Sequence, residues 1–416
     1  MSVELDLISL KVSNKRIAII GGGAAGFFAA ISAKQHEPEA SVTIYEKSNK
    51  LLAKVKVSGG GRCNVTHACF EKSALSKFYP RGGKQLRKAF DQFYTQDTVD
   101  WFTNRGVELK VESDNRMFPT TDNSQTIIDT LMEECKRLGI RIALGSGVSQ
   151  ILRQPNLLSL TINNQELLFD KVIVATGGSP KTQGFDWIKA LGHTIQDPVP
   201  SLFTFNMPKE KIKALMGLSV PNATVRVQKT KLMQSGPLLI THWGMSGPAI
   251  LKTSAWGARL LSDLGYQFAI HVNWLGNLTE ADFRAKIDDH MQQYGKRLIR
   301  NKNPFLLPQR LWDYLIEKVA IDSDKPWLEI GKKGVNKLLN VLLNDQYEVS
   351  GKTTFKEEFV TCGGISLAEV DFKTMESRVC SGLYFAGEVL DIDGITGGFN
   401  FQAAWTTGFI AGKHSE

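Results

Sequence analysis

The chain has 416 residues, a length typical of two or three domains. Of these residues 42% are hydrophobic and 22% charged, values typical of a globular protein. Its first residues include Glu4 and Asp6 where a signal peptide would be basic, and no run is apolar enough for a membrane helix, so we expect a cytoplasmic protein without membrane contact. The net charge of +8 is spread along the chain, and its densest basic cluster, at residues 296–302, lacks an aromatic-interleaved RNA-binding motif, so we expect no nucleic-acid partner.

A strand, a helix and a second strand are predicted at the start of the chain. Arg16–Ile20 is a short apolar run that ends in glycines, which is typical of a buried parallel strand. Ala24–Gln35 follows as a helix and Val42–Glu46 as the next strand. Together they predict one βαβ unit.

Further helices and strands are predicted up to residue 178. Helical periodicity continues over 82–105 and over Gln125–Leu138, and the second stretch leads into the strand Ile140–Leu144. Residues 147–169 alternate like a small β-meander. Lys171–Gly178 is again a buried strand that runs into glycines.

The pattern changes at about residue 196. Short β-like stretches broken by prolines occupy 196–277, and 280–346 is mostly helical and polar. From Phe355 the chain returns to strands and glycines and closes with the strand Leu383–Ala386 and a helix. We therefore predict a discontinuous nucleotide-binding domain with two inserted parts. The predicted bounds are 1–195 and 350–416 for the nucleotide-binding domain, 196–278 for a β-rich domain and 279–349 for a helical insert.

A phosphate-binding turn lies between the first strand and helix. Gly21, Gly23 and Gly26 form G-x-G-x-x-G, in which the glycines allow the tight turn, the approach of the backbone to a pyrophosphate and close packing of helix on strand. The helix N-terminus offers unpaired N–H groups and a positive dipole to the phosphates. Glu46, twenty residues after Gly26, is placed to accept hydrogen bonds from a ribose. Both NAD and FAD satisfy this arrangement.

Three other segments favour FAD. Ser58–Asn64 (SGGGRCN) is a second glycine-rich loop, with Arg62 available to the pyrophosphate or the flavin. Ala175–Gly177 ends a strand after a β-meander. The final strand leads into Gly387 and Glu388, whose carboxylate could accept bonds from a ribityl chain that NAD lacks. The last helix would direct its N-terminus, near Gly398–Asn400, at the flavin pyrimidine ring, where reduced flavin carries negative charge.

The sequence resembles the BaiN/RdsA-type flavoproteins, often called NAD(FAD)-utilising dehydrogenases, within the glutathione-reductase-like FAD superfamily. The resemblance extends from Arg16 over nearly the whole chain. The segments that carry it are SGGGRCN (58–64), NRMFP (115–119), VATGG (174–178), THWGMSGP (241–248), TMES (374–377) and GLYFAGEVLDIDGITGGFNFQ (382–402).

This resemblance implies an α/β fold with a two-dinucleotide-binding-type, Rossmann-like FAD domain, an inserted β-rich, barrel-like part and a helical part. It also implies mostly noncovalent FAD and NAD(P)H-linked reduction of unsaturated steroid-like rings. One departure concerns Gln183–Trp187, where many relatives have a Gly-Asp-Gly turn. The cofactor-binding residues that we predict are Gly21, Gly23, Ala24, Ala25, Gly26, Glu46, Lys47, Gly60, Gly61, Arg62, Val148, Ala175, Thr176, Gly177, Gly387, Glu388, Gly398, Phe399 and Asn400.

Several side chains are candidates for chemistry beside the flavin. His242, in THWGMSGP, is a candidate proton donor, although a structural role in a turn is the alternative. Arg62 and Arg116 could hold an anion or form a salt bridge between loops. Asp391 and Asp393 could face the flavin or cap a loop.

The cysteines and potential metal ligands offer little further chemistry. The five scattered cysteines do not suggest a disulfide framework. Cys63 and Cys69 are close in sequence, but five residues separate them where flavoprotein disulfide reductases have four, so unpaired cysteines are the favoured interpretation. No cluster has the spacing of metal ligands.

We predict an FAD-dependent oxidoreductase in which NADH or NADPH reduces the flavin. The reduced flavin would pass a hydride to a conjugated C=C of a small, apolar, cyclic substrate. The alternatives are a tRNA-modifying flavoprotein, suggested by the basic charge, and a non-catalytic flavin-binding redox sensor.

Overall fold

The computed structural model describes residues 15–353 and 360–415. Glu4, Asp6 and Phe355, on which sequence arguments rested, lie outside the described residues. Within the described ranges, no helix combines the length and the apolar character that crossing a membrane requires.

The described chain alternates strands and helices up to residue 189, continues with strands and then helices in its middle part, and ends in a long helix. The strands are β1 Arg16–Ile20, β2 Ser41–Tyr45, β3 Thr66–His67, β4 Leu109–Val111, β5 Arg116–Pro119, β6 Arg141–Ala143, β7 Val148–Arg153, β8 Leu158–Ile162, β9 Gln165–Phe169, β10 Lys171–Val174, β11 Ile195–Ser201, β12 Thr204–Asn206, β13 Ser219–Val227, β14 Met233–Ile240, β15 Gly244–Ser246, β16 Gln267–Asn273, β17 Asp345–Ser350, β18 Lys352–Thr353, β19 Val360–Ile365, β20 Val370–Asp371, β21 Glu376–Ser377 and β22 Leu383–Phe385. The helices are α1 Ala24–His36, α2 Ala53–Gly61, α3 Lys72–Ser76, α4 Gly83–Ala89, α5 Thr95–Thr103, α6 Ser124–Arg137, α7 Asp186–Lys189, α8 Pro248–Trp256, α9 Ala258–Asp263, α10 Glu280–Tyr294, α11 Gln309–Lys318, α12 Gly331–Leu343 and α13 Phe399–Lys413.

The chain divides into two compact units. The first contains the described residues of 1–197, 363–392 and 397–416, and the second those of 198–362 and 393–396. The first unit is built on a sheet of strand order β20-β21-β22-β10-β1-β2-β6. Its five strands from β22 to β6 are parallel, as expected for a Rossmann-like domain, and the predicted α/β fold class is confirmed.

The first and last helices of the first unit pack with their backbones in near contact. A Cβ on Gly408 would lie 2.6 Å from the carbonyl oxygen of Ala25, and one on Gly412 would lie 2.3 Å from that of Ala29. Helices near both ends of the described chain therefore share one core, and Phe28 of α1 completes it with ring-centroid distances of 4.6 Å to Trp405 and 4.6 Å to Trp101. This packing fixes the N-termini of α1 and α13 in one unit.

A buried carboxylate makes the first unit sensitive to acid. Glu134, whose side chain is 7% exposed, pairs with Arg137 at 2.8 Å and Arg105 at 2.7 Å. The hydrogen bond from Arg137 and then that from Arg105, acting against burial, hold the pKa of Glu134 at about 2, below its ordinary value. Because the folded-state pKa is the lower one, the stabilisation is complete above the unfolded pKa and is lost as the pH falls towards the folded pKa.

We expect Glu134→Gln to lower the free energy of unfolding by about 2 kcal/mol at pH 7, after allowance for screening at the exposed Arg137. The difference from the wild type should shrink as the pH falls from about 4.3 to 2. Urea titrations of both proteins at several pH values measure this difference in the free energy of unfolding. A difference that does not change with pH would contradict stabilisation by the ionised Glu134.

The second unit contains the predicted β-rich and helical segments around a shared core. Its sheet has the strand order β17-β16-β13-β14-β15-β12-β18, with antiparallel pairing throughout. The two edge strands, β17 and β18, are separated in sequence by Gly351 alone. The sheet must therefore curl to bring its edges together, as a barrel-like part requires. Residues of this sheet, among them Tyr347 of β17, lie in the same hydrophobic cluster as Trp312 and Trp327 of the helical segment. The division of this unit into two domains stays a prediction.

One stretch of the predicted β-rich part is helical instead. Residues 248–263 form α8 and α9, although Pro248 is among the prolines predicted to interrupt strands in 196–277. Proline at the first position of a helix lacks only an N–H that would have no intrahelical partner there, and its fixed φ suits the helix. Pro248 therefore starts α8 rather than breaking a strand.

Candidate cofactor site

The G-x-G-x-x-G turn has the geometry that a dinucleotide cradle requires. A Cβ on Gly26 would lie 2.0 Å from the carbonyl oxygen of Gly21, so this position holds helix and strand in direct contact. Gly21 has φ +115°, and a Cβ there would lie 2.5 Å from the carbonyl oxygen of Ala175. A Cβ on Gly23 would meet nothing within 4 Å. The turn is thus closed against protein at Gly21 and Gly26 and open at Gly23, where the pyrophosphate would lie.

The residues predicted for the adenosine end lie together beside this turn. The Glu46 carboxylate accepts hydrogen bonds from the N–H of Gly22 at 2.9 Å and of Ser48 at 2.8 Å. These bonds fix the carboxylate next to the cradle, where a ribose could share it. A Cβ on Gly147 would lie 3.3 Å from Cβ of Lys47. Val148, the next residue, therefore starts its strand close to Lys47.

The glycine loop after α2 is open at two of its glycines. The backbone leaves helical geometry at Ser58–Gly60, and Cβ atoms on Gly60 or Gly61 would meet nothing within 4 Å. Arg62, however, is occupied by protein partners. It pairs with Glu112 at 2.5 Å, and its guanidinium lies 4.0 Å from the ring centre of Phe118.

Arg116 shares the same carboxylate. Its guanidinium pairs with Glu112 at 3.2 Å and with Asp114 at 2.7 Å. The structure shows a salt bridge between loops for Arg62 and ion pairs within the β4–β5 hairpin for Arg116. A contact of Arg62 with FAD stays a prediction.

The segment after β10 and the segment after β22 both approach the N-terminus of α1. Thr176 lies beside Gly21, since a Cβ on that glycine would be 3.0 Å from Cα of Thr176, and the Cβ position of Gly177 is open. A Cβ on Gly387 would lie 2.8 Å from Cβ of Ala25, the second residue of α1. Glu388 follows and pairs with Lys54 of α2 at 2.6 Å, a contact that no sequence pattern indicates.

The N-terminus of α13 is fixed by a loop more than 330 residues away in sequence. With its amide oriented to satisfy both bonds, Asn64 accepts from the N–H of Gly398 at 2.9 Å and donates to the carbonyl of Thr66 at 3.0 Å. Gln402, fully buried in the first turns of α13, accepts from Thr66 at 2.6 Å and from Thr98 at 2.9 Å. No local pattern in the sequence could have indicated these pairings.

Together, these elements of the first unit surround an open, glycine-lined cradle with carboxylates at two of its sides. Residues 15–414 match the family model described as the HI0933-like protein Rossmann domain. The chain belongs to the HI0933-like family. This confirms the resemblance deduced from the sequence, and this HI0933-like protein is an FAD-dependent oxidoreductase.

Named relatives align with the HI0933-like protein over almost its full length. It is 27% identical to the 3-dehydro-bile acid delta(4,6)-reductase of Clostridium scindens over 406 residues, which cover 96% of this chain and 98% of the relative. It is 30% identical to the ribosomal RNA dihydrouridine synthase of Haemophilus influenzae, with 94% of this chain and 96% of the relative covered. Among solved structures, a 3-ketosteroid-delta4-(5alpha)-dehydrogenase from Rhodococcus jostii RHA1 aligns with 98% of each chain at 12% identity and a TM-score of 0.49.

The open positions fit FAD in this HI0933-like protein. Backbone N–H groups at the start of α1 would hold the pyrophosphate, Glu46 the adenosine ribose and Glu388 the ribityl chain. Ala24, Phe399 and Asn400 belong to the first turns of α1 and α13, where amide groups have no intrahelical acceptor. The assignment of individual residues to FAD stays a prediction.

The remaining candidate residues of the HI0933-like protein have mixed surroundings. His242 is an exposed residue of the second unit, in the turn between β14 and β15, and its ring lies 4.6 Å from that of Trp243. Asp393 is fully buried and accepts a hydrogen bond from Ser201 at 2.7 Å. Residues 182–189, including the departure noted above, form a short helical turn followed by α7. Among the described residues, no group of potential metal ligands is found.

The cysteines of the HI0933-like protein are all free thiols. Burial raises the pKa of the Cys63 thiol to about 12, which leaves almost no thiolate at neutral pH, whereas Cys69 is only partly buried. Burial also raises the pKa of the Cys69 thiol, which slows its reaction. We expect Cys69 to be the one thiol per chain that Ellman's reagent modifies in the folded protein at pH 8, because the other four are buried, and Cys69→Ser to remove that reaction. If mild oxidation instead removed the free thiols of Cys63 and Cys69 together, the two cysteines would form a redox pair.

Proposed function

We propose that this flavoprotein reduces a ring C=C that is conjugated to a carbonyl group, with NADH or NADPH as electron donor. The proposal rests on its full-length similarity to two kinds of named enzyme. A delta(4,6)-reductase acting on a 3-dehydro bile acid saturates ring double bonds conjugated to a ketone, and a dihydrouridine synthase saturates the uracil double bond next to its C4 carbonyl. The chemistry common to both names is addition of a hydride and a proton to an enone-like ring.

Bound FAD would supply the hydride, and the protein would hold the cofactor and manage protons. The cradle around Gly23 binds the pyrophosphate, and the N-terminus of α13 offers positive dipole to negative charge on the reduced flavin. The sequence has no complete second G-x-G-x-x-G, so we propose that the nicotinamide nucleotide binds only transiently. His242 as the proton donor and a cytoplasmic location stay predictions.

The first candidate acceptor is a small, apolar, cyclic enone, in line with the bile acid reductase. The second is a uracil base in RNA, favoured by the similarity to the named ribosomal RNA enzyme and by the net charge of +8. Residues 295–337 contribute ten basic and five acidic residues to that charge.

The test is anaerobic reduction of the purified flavoprotein with NADH and with NADPH, followed by addition of acceptors. A 4,6-dien-3-one steroid and an unmodified ribosomal RNA transcript represent the two candidates, and a quinone serves as comparison. We expect one C=C acceptor to reoxidise the flavin and to be recovered with a saturated bond. Reoxidation by the quinone alone would overturn the proposal.

A further inference from the structure

His67 lies against the corner of the chain that is predicted to face the flavin pyrimidine ring. Its imidazole stacks on the ring of Phe399, the first residue of α13, with a centroid distance of 4.6 Å and an interplanar angle of 25°. A Cβ on Gly397 would lie 3.5 Å from Cδ2 of His67. The imidazole thus lies beside Gly397–Phe399, the turn that leads into the positive N-terminal end of α13.

Contacts on its other sides hold this corner in place. The ring of Phe78 contacts both others, with its centroid 4.5 Å from that of Phe399 at an interplanar angle of 20° and 5.6 Å from that of His67. The hydroxyl of Tyr79 donates to the carbonyl of Phe399 at 2.7 Å. The backbone of His67 is part of β3, which pairs with β5. A change in the charge of His67 would therefore act on the corner electrostatically rather than by moving it.

The titratable groups around His67 do not change their own charge near neutral pH. Arg116 is the β5 residue opposite His67 and is a permanent cation balanced by Asp114 and Glu112. Burial raises the pKa of Tyr79 and that of Cys69, two residues beyond His67, so both stay protonated. Histidine is the residue type that ordinarily changes charge between pH 5 and 8.

We propose that His67 takes up a proton when the bound FAD is reduced. This inference rests on the FAD site and deepens the proposed function. Bound FAD that gained two electrons and one proton, at N5, would carry a negative charge at N1 and C2=O. A hydride from NADPH supplies both electrons and that proton, and a second proton passes from water to the imidazole of His67. Transfer of the hydride to the C=C acceptor would remove this charge from the flavin. The proton of His67 would then return to water, from which the acceptor takes the proton that completes its saturation.

The pH dependence of the flavin midpoint potential tests this directly. Over roughly pH 6 to 8, we expect the wild type to take up about two protons per two electrons, and His67→Gln and His67→Phe to take up about one. His67→Phe retains the stacking on Phe399. His36→Asn is the matched control, because His36 packs beside Phe409, ten residues or about 15 Å further along α13, and should behave as the wild type.

Each outcome decides the question. A wild-type uptake of one proton, or an unchanged uptake in either His67 variant, overturns the proposal. If both variants failed to bind FAD, ¹⁵N NMR of histidine-labelled wild type before and after reduction would decide, since one imidazole must become protonated. Wild-type protein that binds no FAD would instead refute the FAD site and the proposed function.

Discussion

Gly23→Ala is expected to weaken FAD binding severely while the apoprotein keeps its fold. Gly23 has φ −97°, which alanine adopts readily, and the added Cβ meets no protein atom within 4 Å. The free energy of unfolding should therefore change by no more than about 1 kcal/mol, the cost of alanine at an N-cap. The methyl group would occupy the space where the backbone approaches the pyrophosphate, and we expect FAD affinity to fall at least ~100-fold. Fluorescence titration of the apoprotein with FAD measures the affinity.

Gly26→Ala is the matched comparison, three residues further on. Its Cβ would lie 2.0 Å from a backbone oxygen that cannot move aside, so this variant should lose about 3 kcal/mol or more of stability whether or not FAD is present. Thermal unfolding of both apoproteins separates the two effects. A Gly23→Ala protein that binds FAD as the wild type does would show that the open space is not the cofactor's.

Glu388→Ala is expected to weaken FAD binding by roughly 1.5–3 kcal/mol, or about 10- to 150-fold. The ribityl hydroxyls would lose a charged acceptor at the end of the final parallel strand. Because Glu388 also pairs with Lys54, loss of that ion pair alone could disturb the loop. Lys54 is about half exposed, and an ion pair of this kind contributes less than about 1 kcal/mol.

Lys54→Met is therefore the control for Glu388→Ala. It breaks the same ion pair and leaves the carboxylate available, so FAD affinity should change by less than about fivefold. Equal losses in the two variants would assign the effect to the ion pair. Unchanged affinity in Glu388→Ala would exclude the ribityl role.

Local sequence patterns were sufficient for the first βαβ unit. The apolar run before Gly21, the glycine spacing and the helix that follows are encoded within thirty residues, and β1, α1 and β2 are confirmed within one or two residues of the predicted bounds. The last helix and the mostly helical character of the polar segment 280–346 were also predicted, without bounds, and α10 to α13 lie there. In each case the signal is periodicity or glycine placement, which depends on neighbours in sequence.

Features set by distant contacts escaped the sequence. Nothing near Asn64 indicates that its side chain caps α13, and nothing near Gln402 indicates that two threonines from separate segments donate to it. The pairings of Arg62 with Glu112 and of Lys54 with Glu388 likewise depend on how loops meet after folding. The helices α8 and α9 were missed for another reason, because Pro248 is compatible with both a strand interruption and a helix start.

The most direct test is the flavin content of gently purified protein, followed by its structure with the cofactor bound. We predict about one FAD per chain, its pyrophosphate at Gly23 and its isoalloxazine ring beside the N-terminus of α13. A protein that binds no flavin even after reconstitution, or a cradle occupied by an extended nicotinamide dinucleotide, would contradict this account.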